Sequence, residues 1–160
     1  MIPALSFVPV QDVIIAFDEL CNHCGIDEQP VLDYFETNYI GEQRRGRRLP
    51  PLFPHELWNM HDRVLHELPR TNNNLEGWHT RFSTMFRQTH PSIWEFIDKL
   101  NLDVSHNRML MAQMLAGAPP PPQKRVYRDV NARIETLVQG YNNGNIIPFL
   151  RGISYNLAEQ

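Results

Sequence analysis

Apolar positions along this chain recur at three- and four-residue intervals, the spacing of one helix face, over most of its length. From Pro9 onward, Val10, Val13, Ile14, Phe17, Leu20, Cys21 and Cys24 keep that interval, with Pro9 suited to a first turn and Gly25 to the stop. A second helix is expected from Gln29 or Pro30 to Ile40, with Val31, Leu32, Phe35 and Tyr39 on one side and Gly41 ending it. A third runs from Pro54 to Leu68 through Leu57, Trp58, His61, Val64 and Leu65, halted by Pro69. Leu75, Trp78, Phe82, Met85 and Phe86 predict a fourth, and Ser92 to Ala116 carries the longest helical pattern. Two more are expected at Asp129–Tyr141 and Ile146–Leu157, separated by Asn142-Asn143-Gly144-Asn145. No alternating run of four to eight residues argues for a strand, so the pattern predicts an all-α chain, an irregular bundle of about six to seven helices.

Punctuation sets the expected domain limits. Gly117-Ala118 followed by four consecutive prolines cannot continue a helix and favours a stiff extended spacer. The expected division is a helical region 1–117, a proline-rich linker 118–124 and a short helical tail 125–160. At 160 residues, 42% hydrophobic and 21% charged, this is one domain's worth of ordinary globular material. No apolar run reaches the length of a membrane span and no signal-peptide pattern opens the chain, so neither a membrane nor a secreted location is expected.

Charge is unevenly spread. Residues 1–40 hold Asp12, Asp18, Glu19, Asp27, Glu28, Asp33 and Glu36 with no Lys or Arg, whereas the remainder holds all 15 basic residues. Four of these, Arg44, Arg45, Arg47 and Arg48, surround Gly46 ahead of Leu49-Pro50-Pro51 and predict an exposed loop. Such a run reads either as a solvated linker or as a phosphate-contacting or nuclear-import segment. Cys21 and Cys24 form a Cys-x-x-Cys, half a zinc site at most, and His61, His66 and His79 lack a matching spacing. Free thiols are the expected state, and no metal site is assigned.

The stretch with most chemistry is Arg70-Thr71-Asn72-Asn73-Asn74-Leu75-Glu76-Gly77-Trp78-His79 and the helix that continues from it. At 100° per residue, Glu76, Thr80, Ser83 and Arg87 share a face away from the Trp78–Phe82 stripe. Spacing alone also fits a capping box, with Asn73 as N-cap and Glu76 three residues on.

This stretch closely resembles the block near the C-terminal end of the transposase domain in Mutator-like element (MULE) transposases, in particular the animal branch associated with FLYWCH-type zinc fingers. Other segments resemble the family in order: Phe7-Val8-Pro9-Val10, Asp33-Tyr34-Phe35, Pro51-Leu52-Phe53-Pro54, His90-Pro91-Ser92-Ile93-Trp94 and Phe149-Leu150-Arg151-Gly152-Ile153. The resemblance implies the helical portion of an RNase H-like (DDE) domain lacking its β-sheet. It maps Glu76 to the family's third metal-binding acid, and it implies a divalent metal (Mg or Mn) for the whole family site. The first two acids lie on strands that precede these helices in the family, and none of Asp12, Asp18, Asp33 or Asp62 matches those motifs. The expectation is therefore a transposase-derived fragment of a transposable element, catalytically inactive alone, with no metal held by this chain: a decayed or domesticated copy, or a partial gene model. DNA is the implied partner, through Arg44, Arg45, Arg47, Arg48, Arg70, Arg81 and Arg87, with a nuclear location favoured over a cytoplasmic one. The alternatives are a helical interaction or self-association module using an apolar face uncovered by loss of the sheet, or a relic without function.

Overall fold

The computed structural model of the chain describes residues 1–70, 73–86, 90–119 and 125–158. Helices dominate: α1 (Val13–His23), α2 (Gln29–Phe35), α3 (His55–Trp58), α4 (His61–Leu65), α5 (Asn73–Thr84), α6 (Ile93–Leu115), α7 (Arg125–Gln139) and α8 (Ile146–Ala158). Among the described residues no helix is long and apolar enough to cross a membrane. The all-α expectation meets one exception. A two-stranded antiparallel hairpin, β1 (Gln43–Arg44) and β2 (Arg47–Arg48), occupies the arginine run that the apolar pattern assigned to a loop. Strands of two residues are too short to leave an alternating signature.

The chain divides into two compact units, Met1–Arg70 with Lys124–Gln160, and Thr71–Gln123. This differs from the division expected at the prolines: α7 and α8 are not an appended tail but part of the first unit's core. There Val130, Ile134, Val138, Ile146, Phe149, Leu150 and Ile153 are buried in one cluster with Leu5, Val8, Val13, Phe17, Leu20 and Leu32. The 3₁₀ segment Ile2–Phe7, which lies ahead of the first expected helix, contributes Ala4, Leu5 and Phe7 to that cluster. The proline run itself, from Pro120 onward, lies outside the described residues.

Two local breaks shape the first unit. The helix expected over Pro54–Leu68 is interrupted at Asn59, whose backbone is extended (φ −71°, ψ 137°). Its side-chain amide donates to the Val8 carbonyl at 2.7 Å, and its Oδ1 accepts from the His61 N–H at 3.0 Å, starting α4 afresh. Beyond α2 the chain widens into a π turn, Glu36–Ile40, where the Thr37 hydroxyl and the Asn38 amide bond back to the Asp33 and Tyr34 carbonyls. Gly41 closes it at φ +95°, and a Cβ there would meet the Leu49 carbonyl oxygen at 2.0 Å, so only glycine fits.

The second unit is built on α5 and α6. Phe82 is its buried centre, stacked on Trp78 (centroids 5.1 Å apart) and met edge-on by Phe96 at 5.7 Å. Beside these rings the Asp103 carboxylate is buried. It accepts from Trp78 Nε1 at 2.8 Å, Arg81 Nη2 at 2.7 Å and Asn107 Nδ2 at 3.0 Å. A buried carboxylate is tolerated when donors saturate it in this way.

Candidate nucleic-acid interface

The hairpin pairs Gln43 with Arg48 and Arg44 with Arg47 across a two-residue turn, Arg45-Gly46. Both turn residues have positive φ (50° and 78°), the geometry whose twist matches paired strands. The Leu49 N–H donates to the Glu42 carbonyl at 2.9 Å and lengthens the ladder by one bond. Residues directly opposite in a ladder share a sheet face, so Arg44 and Arg47 stand together while Arg48 points the other way.

Arg48 is committed to the body of the first unit. Its guanidinium donates to Asp18 Oδ1 at 2.9 Å, Glu36 Oε1 at 2.8 Å and the Gly41 carbonyl at 2.7 Å, and its side chain is 16% exposed. The Cys21 thiol next to this node is pushed up by burial, then by the Glu36 and Asp18 carboxylates. Both cysteines are free. Arg44 makes an exposed 2.9 Å pair with Glu42. Arg45 and Arg47 are exposed, and among the described residues neither has an ion-pair partner. Arg44, Arg45, Arg47, Arg48, Leu49 and Pro50 line one open depression.

The other nominated arginines are placed elsewhere. Arg70 lies with its guanidinium 5.7 Å from the Phe7 ring centroid and donates to Asn131 Oδ1, and burial lowers its pKa. Arg81 is held by Asp103. Arg87 lies outside the described residues. The hairpin gathers four of these arginines, and one of those, Arg48, faces inward.

Glu76 is exposed on α5, as are His79, Thr80 and Ser83. The Ser83 hydroxyl donates to the His79 carbonyl of its own helix at 2.7 Å. The Asn73 side chain, on which the capping reading depends, lies outside what is described. A two-metal phosphoryl-transfer centre needs several carboxylates converging on ions about 4 Å apart. Among the described residues no group of three or more His, Cys, Asp or Glu converges, so a lone Glu76 does not fit that centre.

Sequence reasoning missed Asp18 and Glu36 as anchors of the arginine run. The available signal was the block of uncompensated acids preceding a block of arginines, together with a Gly in the centre of the run. Compared with known proteins, the chain matches no family model, no curated protein and no solved structure.

Proposed function

We propose that this chain is a MULE-transposase-derived helical protein that holds DNA through its phosphate backbone, without sequence preference, and performs no phosphoryl transfer by itself. The observation that carries the reading is the arginine hairpin, an exposed cationic tip fixed on a folded base. Further support comes from the resemblance around Glu76-Gly77-Trp78-His79, while a single carboxylate gives hard divalent metals one ligand group where they need several. Fluorescence anisotropy with a labelled duplex, at low and physiological salt, tests the binding. Affinity should fall about 10³-fold or more between roughly 50 and 200 mM salt if six or more phosphates are engaged, and proportionately less for fewer. Absence of binding at low salt removes the reading. In the same preparation, Mg²⁺- or Mn²⁺-dependent strand cleavage that Glu76→Gln abolishes would establish the chain as a nuclease instead.

A second reading is self-association. On α6, Ile93, Ile97, Leu100, Val104, Met111 and Leu115 fall within an arc of about 60° at 100° per residue. Ile93, Met111 and Leu115 are 64%, 63% and 88% exposed, an apolar stripe of the kind that pairs helices. Size-exclusion chromatography with light scattering decides it: a monomer at every concentration excludes this reading.

A further inference from the structure

The arginine run is folded against its own electrostatics. A chain segment with four like charges around a glycine should remain open and solvated. Here Arg44 and Arg47 are held directly opposite, a pairing of like charges that destabilises a ladder, and Arg45 sits at φ +50°, where side chains with a Cβ are uncommon. Arg48 supplies a compensating hold. Its forked guanidinium reaches back from the hairpin to the acidic first forty residues, bonding two carboxylates from two different elements, Asp18 and Glu36, and the Gly41 backbone carbonyl. The planar fork matches that acceptor set in a way an ammonium cannot.

We infer that the hairpin is a two-faced phosphate clamp, with Arg48 the positioning residue that fixes it and Arg44, Arg45 and Arg47 the residues that meet consecutive phosphates of a nucleic-acid backbone. The inference rests on the DNA reading above and narrows it from seven arginines to three. Opposed Cβ atoms in a ladder lie about 5 Å apart, so two long guanidinium side chains there can converge on one phosphate or spread to two neighbours. On the outer side Arg44 pairs with Glu42 while, among the described residues, Arg45 and Arg47 have no ion-pair partner, so a phosphate entering the depression relieves the repulsion that the fold maintains. Phosphate contacts carry no base information, so unrelated duplexes should bind alike. A nuclear-import receptor is the less suited partner: it would read the arginines along an extended segment, whereas this backbone is already paired and Arg48 is already bound.

The test uses the full chain, the labelled duplex and a salt titration. Arg45→Ala with Arg47→Ala should lower the slope of log affinity against log salt by about 2 and weaken binding at least tenfold at low salt, with the helical circular dichroism unchanged. Arg125→Ala with Arg128→Ala removes the same charge from α7, where both side chains are well exposed, and should change little. Arg48→Lys keeps the charge, so the slope should hold while affinity falls several-fold and the hairpin amides exchange faster. A wild-type chain that fails to bind removes the underlying DNA reading. A wild-type chain that binds, with Arg45→Ala/Arg47→Ala binding equally well or the α7 pair costing as much, leaves that reading standing and overturns the clamp. Capture by an import receptor through the same arginines, with no duplex binding, overturns it too.

Discussion

The two units of this chain are stabilised by different means. In Met1–Arg70 with Lys124–Gln160, aliphatic and aromatic side chains from seven segments meet in one cluster, and Leu5, Val8, Val13, Ile134, Leu150 and Ile153 have no exposure left. In Thr71–Gln123, Phe82 is the one buried hydrophobic side chain among the described residues, and the other buried group is a carboxylate. The first unit gains its stability from area removed from water, distributed over many residues. The second depends on a few rings and one saturated polar node, so its order is concentrated in single residues. A distributed core tolerates loss at any one exposed position; a concentrated one does not tolerate loss of its node.

The largest expected effect is in the first unit. Phe17→Ala should cost about 3–5 kcal/mol, the range for emptying a buried aromatic site, because Phe17 is 2% exposed and packs on Phe35. Chemical denaturation reads this directly, and a loss below about 1 kcal/mol would mean the cluster is not the packed core described.

Asp103→Ala comes next. It leaves Trp78 Nε1 without its acceptor and Arg81 without its carboxylate. Hydrogen bonds to a charged group contribute about 1.5–3 kcal/mol each, discounted here because the Arg81 side chain is nearly half exposed to screening water, so about 2 kcal/mol is expected. Amide exchange should locate the loss in α5 and α6, with Val130–Val138 still protected. Uniform loss across both units would mean that the Asp103 node does not stabilise the second unit specifically.

The smallest effect should come from the α6 stripe. Val104→Lys with Met111→Lys alters two exposed positions and should shift stability by no more than about 0.5 kcal/mol each. If the chain self-associates, the same double substitution should return it to monomer in light scattering. A large destabilisation would show that the stripe is covered within the chain.

How much of this was legible beforehand varies with how locally each feature is encoded. The α1, α2, α6 and α8 helices follow from apolar spacing, with Ser92 accepting from the Glu95 N–H as the N-cap of α6 and Gly41 closing the segment after α2. The expectation that Leu75 belongs to an apolar stripe with Trp78 and Phe82 does not hold: Leu75 is 53% exposed, since spacing defines a face without saying how far packing extends along it. Asn59 was hidden inside a continuous helical pattern because its partners, Val8 and His61, include one that is distant in sequence. Asp103 was invisible as a buried group for the same reason: nothing near it in the chain marks Trp78 and Arg81 as its donors.

By itself the sequence determined the helical class, most helix positions and the charge imbalance. Each of these depends on residue type and short-range spacing. Only the tertiary structure decided that the C-terminal helices complete the first core, and that the arginines of the hairpin separate into an inward anchor and exposed tips. It also showed that a run expected as a loop is a hairpin. Those outcomes depend on which side chains meet across long stretches of chain, and burial and ion pairing are properties of that meeting.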